Sequence, residues 1–203
     1  MRDSRDRQPN DIGQLVLDLF KDHPGLIRIQ LIGSRSKSQA TAYSDWDFGI
    51  SVHDFDSFTR DLPQLVEPLH PLAQQWDRLS ETKCYMLIVP GPRKIDFIFL
   101  DEHNEESGPW QIDLQSLVEL DAHFWDWMLW LKSKDFRGER ELVTSELSKL
   151  FDHLLQPMHV DEVPDSILVA AELYKQARNR LEDQFGTSVP RKLQKGVEAV
   201  LNQ

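Results

Sequence analysis

Three aspartates and one small-residue turn are the parts of this chain best suited to chemistry. Asp45 and Asp47 flank Trp46 in the run Asp45-Trp46-Asp47-Phe48-Gly49-Ile50. Side chains alternate along a strand, so both carboxylates fall on one face and Trp46 and Phe48 on the other. Upstream, the β-type run 26–32 ends in Gly33-Ser34, a turn whose N–H groups can face an anion without obstruction by a Cβ. Downstream, Asp96 stands between Ile95 and Phe97 in an apolar strand. An ionised acid there is expensive to bury unpaired, so its placement asks for a cation nearby. Hard cations such as Mg²⁺ take oxygen ligands and commonly combine one or two carboxylates with substrate phosphates. Paired acids near an anion-binding turn therefore suit chemistry on a metal-bound nucleotide.

Those residues must be carried by definite elements. A first helix over 10–21 places Ile12, Leu15, Val16, Leu19 and Phe20 at helical spacing, with Asn10 as N-cap and His23-Pro24-Gly25 as the stop. The strand ending at Gly33 and the acid-bearing strand through Val52 follow. From Phe55 to Trp76 apolar residues recur every three or four positions, while Pro63, Pro68 and Pro71 interrupt them, so broken helix is expected. A hairpin, 84–89 and 94–100, turns at Gly91-Pro92. The polar stretch 101–109 reads as a linker. Beyond it the period is helical, over 114–131, 143–154, 167–185 (with Asp165 as its cap) and 189–201, and no strand is expected after Leu100.

Gly33-Ser34, then Asp45-Trp46-Asp47, then Asp96 in a later apolar strand resembles the nucleotidyltransferase superfamily of DNA polymerase β, and within it the small bacterial enzymes that adenylylate aminoglycosides or lincosamides. One position departs: many relatives carry a glycine five residues after the first, and this chain has Ser38. The resemblance implies an α+β fold, with a mixed-sheet catalytic domain over 1–105 followed by an all-helical substrate-binding domain over 106–203. It implies that Asp45 and Asp47 ligate Mg²⁺ and that Asp96 ligates a second Mg²⁺ or acts as base. Two metals about 3.5–4 Å apart can stabilise both the attacking and the leaving oxygens. Gly33 and Ser34 would hold the triphosphate of ATP or another NTP, with Arg35 and Lys37, and also Arg93 and Lys94, in reach of the same anion.

The helical half offers candidates for the acceptor. Phe124-Trp125-Asp126-Trp127-Met128-Leu129-Trp130 holds three tryptophans that cannot all face one core, so a substrate wall beside Asp126 competes with plain packing. Phe136-Arg137-Gly138-Glu139 and the acidic helix after it resemble the junction from which relatives in that family bind substrate amines, which makes Glu139 and Glu141 candidates. The histidines are scattered, with no pair at ligand spacing, and none is assigned.

Composition narrows the partners. The chain has 203 residues and a formal charge of -11; residues 1–100 hold 12 basic and 14 acidic side chains, residues 101–203 hold 11 and 20, so the net charges are -2 and -9. An acidic second half repels phosphate backbones and favours a cationic small acceptor over nucleic acid. The single cysteine, Cys84, makes neither an internal disulfide nor a zinc pattern and reads as a buried strand residue. No apolar run reaches the roughly 18 residues of a membrane span, and residues 1–7 lack the apolar core of a signal peptide, so a cytoplasmic protein is expected. A calcium loop starting at Asp45 fails on its glycine and its final acid, and neither a P-loop nor a dinucleotide glycine fingerprint occurs. The expectation is transfer of a nucleoside monophosphate, AMP foremost, to a hydroxyl of a small acceptor. Transfer onto a protein partner and a decayed nucleotide-binding module are the alternatives; oligomeric state is open.

Overall fold

The structure, a computed structural model, describes residues 12–105 and 107–203. The proposed cap Asn10 lies outside those residues. In chain order the first half holds α1 (Ile12–Phe20), β1 (Leu26–Leu31), a single helical turn α2 (Gly33–Ser36), β2 (Trp46–Val52), α3 (Phe55–Val66), β3 (Ala73–Trp76), β4 (Thr82–Val89) and β5 (Arg93–His103). The second half is helical: α4 (Leu117–Phe136), α5 (Arg140–Leu150) extended by a π-helical turn (Phe151–Leu155), α6 (Ile167–Phe185) and α7 (Lys192–Leu201). The chain is thus α+β, with a mixed sheet followed by helices. No described helix is long and apolar enough to cross a membrane.

The strands form one sheet in the order β1-β2-β5-β4-β3. Only β2 and β5 run parallel; the other neighbours are antiparallel. Strand alternation divides this sheet by chemistry. Phe48 and Ile50 of β2, Ile95, Phe97 and Phe99 of β5 and Leu87 of β4 are fully or almost fully buried in one cluster with Val16 and Phe20 of α1 and Phe58, Leu62 and Val66 of α3. The intervening residues, Asp47, Lys94, Asp96 and Met86, therefore point to the opposite face. At its β4 end that face is apolar, and Ile88 joins the core of the helical half.

Helix α4 is the centre of the second half. It is buried on nearly every side, from Leu117 to Ser133, as a helix wrapped by α5, α6, α7 and the sheet must be. Burying its polar residues required partners. Asp121 accepts from Trp125 Nε1 (3.1 Å), Tyr174 Oη (2.8 Å) and Arg178 Nη1 (2.8 Å), a network sealed inside the helices. Trp125 stands edge-on to Tyr174, so this tryptophan serves the core.

Several expectations from the sequence need correction. The apolar periodicity from Phe55 to Trp76 spans two kinds of element. Helix α3 accommodates Pro63, a 3₁₀ turn takes Glu67–Leu69, and Ala73–Trp76 is a strand. An edge strand of four residues is too short for its alternation to outweigh the surrounding helical period. Strand β5 also continues to His103, so 101–103 belongs to the sheet and not to a linker; Thr82 pairs with His103. Ser166, not Asp165, caps α6, accepting from the Val169 N–H at 3.4 Å. Cys84 is buried in β4, as expected.

Candidate active site

The ladder between β1 and β2 sets the first part of the site. It ends with the Ile32 N–H donating to the Asp47 carbonyl at 2.8 Å, which brings the next residue, Gly33, against the Asp47 side chain. Gly33 has φ +66°, and a Cβ there would lie 2.1 Å from Asp47 Oδ2. Only glycine can start α2 at this place. Ser34 follows, half-buried, at the head of α2, and Lys37 is exposed at its end. Ser38, where relatives in the resembled family carry glycine, sits at φ +56°. The loop keeps the left-handed conformation that glycine favours and fills it with serine.

Strand pairing and a braced loop supply the acids. The parallel register of β2 and β5 sets Asp47 directly beside Asp96. Asp45 precedes β2, and its loop is fastened from two sides. Arg35 donates to the carbonyls of Asp45 (2.9 Å) and Ser44 (2.6 Å) with its guanidinium 4.1 Å over the Trp46 ring. Arg137, from the far end of α4, donates to Ser44 Oγ at 2.8 Å. Arg35 therefore spends two of its donors on shaping the site. With the loop so held, Asp45, Asp47 and Asp96 each present an oxygen, all within 4.8 Å of one another. The three acids expected from the sequence converge.

Lys94 was expected near the anion, but it faces the acids instead. It is two residues before Asp96 on the same face of β5, and its ammonium donates to Asp96 Oδ1 (2.7 Å) and to both oxygens of Asp126 from α4 (2.9 and 2.7 Å). All three side chains are buried. Arg93 turns back to the Pro90 carbonyl at 3.0 Å, closing its own hairpin.

Electrostatics follow from this crowding. Burial, and then the neighbouring acids against the pull of Lys94, push Asp45 up to about 8 and Asp126 up to about 7. Asp47 and Asp96 are raised for the same first reason. Burial alone would lower Lys94, but Asp126, Asp96 and Asp45 hold it well above the ordinary lysine value. One ammonium among four crowded carboxylates leaves the cluster short of positive charge. Oxygen-only donors, mutually repelling and drawn within reach of a common point, fit a hard divalent cation.

Two cavities flank the Lys94–Asp126 pair. One, of about 250 Å³, is bounded by Lys94, Asp96 and Asp126 and walled by Asp77, His123, Trp127, Trp130 and Glu146. The other, of about 470 Å³, lies on the Asp45 side, between Tyr43, Ser44, the Gly91–Arg93 turn and Leu129. Trp127 donates through Nε1 to Glu146 at 3.1 Å. His123 is buried, its Nδ1 has no partner, and burial lowers it to about 4, so it is neutral. Glu139 and Glu141 stand at the start of α5, outside the walls of either cavity, whereas Glu146 lies on the wall of the smaller one. His123 and Glu146 carried no local signal. Each is one polar residue in a helical pattern, and only the packing of α4 against the sheet and of α5 on α4 shows which way it points.

No protein-family model and no curated protein matches the chain. Solved structures do. The polymerase core of TRAMP, an RNA surveillance complex, matches with a TM-score of 0.38 at 10% identity over 82% of this chain, which spans 56% of that one. An aminoglycoside 6-adenyltransferase from Bacillus subtilis matches with a TM-score of 0.36 at 10% identity over 97% of both chains. Likenesses this distant assign no role to any residue here. What the chain does must be argued from its own acids and cavities.

Proposed function

We propose that the chain is a metal-dependent nucleotidyltransferase that moves a nucleoside monophosphate, AMP foremost, from an NTP to a hydroxyl of a small cationic acceptor. The observation that carries this reading is the convergence of Asp45, Asp47 and Asp96 oxygens within 4.8 Å, against a turn that only glycine can make. Asp45, Asp47 and the free oxygen of Asp96 would hold Mg²⁺. When bound, the ion supplies charge neutralisation to the triphosphate and Lewis-acid stabilisation at the reacting phosphorus. The N–H groups of Gly33 and Ser34 and the Ser34 hydroxyl bind phosphate oxygens at the start of α2, with Lys37 adding charge from the rim. Arg35 holds the Asp45 loop in place.

The larger cavity beside Asp45 suits the nucleoside. The smaller one suits the acceptor, because Asp96 stands on its wall. The acceptor hydroxyl attacks the α-phosphorus, its proton passes to Asp96, an oxygen–phosphorus bond forms, and the bond to the β-phosphate breaks as pyrophosphate leaves. Asp77 and Glu146, with Trp127 and Trp130, make a wall suited to an amine, and Lys149, 4.0 Å from Glu146, lies on the same lining.

The test is direct: incubation with Mg²⁺, each α-labelled NTP and a panel of aminoglycosides, lincosamides and proteins. Label on an amine-bearing small molecule supports the reading, label only on a protein moves the target to a macromolecule, and no transfer with no Mg²⁺-NTP binding leaves a decayed module.

A further inference from the structure

We propose that the Lys94 ammonium is a built-in second cation of this site, so that the chain takes one divalent ion and not two. The inference rests on the nucleotidyl-transfer reading above and departs from the two ions expected from the resemblance.

The geometry is that of an occupied cation position. Three N–H bonds of the ammonium meet three carboxylate oxygens, one from Asp96 and two from Asp126, at 2.7–2.9 Å. The ammonium is therefore saturated and has no donor left to release toward solvent or phosphate. Lys94 is 6% exposed and its stem is fixed by strand β5, whose register places Lys94 opposite Ile88 and Asp96 opposite Met86. In two-ion sites the ions sit about 3.5–4 Å apart and share a carboxylate between them. Here Asp96 is that shared carboxylate. One oxygen is bound by the ammonium, and its side chain also joins the cluster with Asp45 and Asp47. A divalent ion placed between Asp96 and Asp126 would meet the ammonium at contact distance and would have to displace it. The ion that remains belongs to the Asp45–Asp47 side. A tethered cation is present at full occupancy whatever the metal concentration, and it fastens α4 to β5 through Asp126, so assembly of the site is tied to docking of the helical half.

The experiment counts ions on the full chain by equilibrium dialysis against Mn²⁺, alone and with α,β-methylene-ATP, with electron paramagnetic resonance to detect a coupled pair. The wild type is expected to hold one Mn²⁺ per chain in either case, with no coupled-pair spectrum. Lys94→Met is expected to gain a second Mn²⁺ and the coupled signal. Two ions in the wild type, or a folded Lys94→Met that still holds one, overturns the proposal while leaving the nucleotidyl-transfer reading intact; no bound Mn²⁺ overturns both. Should Lys94→Met fail to fold, anomalous scattering from Mn²⁺-soaked wild-type crystals decides. A single peak beside Asp45 and Asp47, with Lys94 Nζ still on Asp96 and Asp126, supports the proposal. A peak between Asp96 and Asp126 overturns it.

Discussion

Gly33 and Asp47 are so close that a Cβ on the glycine would lie 2.1 Å from the carboxylate Oδ2. The turn and the acid are one device, since a backbone without a side chain lets α2 begin on top of the Asp47 carboxylate, where the proposed phosphate site meets the proposed metal ligand. Gly33→Ala forces a left-handed alanine and a steric clash together, at a cost of about 2–4 kcal/mol. Urea denaturation is expected to show that loss, and Mn²⁺ affinity to fall with it because Asp47 must move.

Stability without metal is expected to fall as pH rises. Asp45 is held near 8 in the folded chain against 3.8 as its ordinary value, so the folded state binds the proton more tightly than the unfolded one. Its contribution is present below about pH 4 and is lost as pH climbs toward 8. Asp47 and Asp96 are raised in the same direction. Thermal melts from pH 5 to 8 should decline in chelator and recover on adding Mg²⁺, more strongly at the higher pH. Asp45→Asn should flatten the chelator series.

Removing the central acid separates catalysis from folding. Asp47→Asn should abolish nucleotide transfer and leave the chelator melting temperature unchanged or raised, because a buried like-charge contact with Asp96 is relieved. Unfolding of that variant would show that the acid is needed for structure instead.

Ser38 holds a left-handed backbone at φ +56°. Glycine there removes a strain of about 1–2 kcal/mol and adds back about 0.5–1 kcal/mol of unfolded-chain entropy. Ser38→Gly should therefore raise stability by about 0.5–1 kcal/mol with transfer activity retained, as denaturant midpoints and a labelled-nucleotide assay would show.

In the helical half, Asp121 compensates Arg178, a fully buried guanidinium. Asp121→Ala should cost about 3–5 kcal/mol by leaving that charge alone. Mn²⁺ binding by the protein that remains folded should not change, since the network lies away from the acids of the sheet.

Much of this was legible in the primary structure because it is local. Alternation of period two is a property of consecutive residues, and β2 bears it out for Asp47 between Trp46 and Phe48; Asp45, expected on the same strand, lies instead in the loop before it. The order glycine-serine, acid pair, third acid likewise names its members without reference to distance. The short strand β3 was not legible, because four residues carry too little pattern to stand out from the helical spacing that precedes them.

What the sequence alone determined, then, is which acids could meet and the strands that carry Asp47 and Asp96. What only tertiary structure decided is their company. Nothing in Arg93-Lys94-Ile95-Asp96 says that the lysine turns inward, because its partner Asp126 is 32 residues away on a helix whose docking angle depends on the whole core. The same docking put Glu146 on a cavity wall and left Glu139 and Glu141 off it, and buried His123 with its Nδ1 unpartnered. Charge pairing across two halves is set by packing at long range, and packing is not written in the spacing of neighbours.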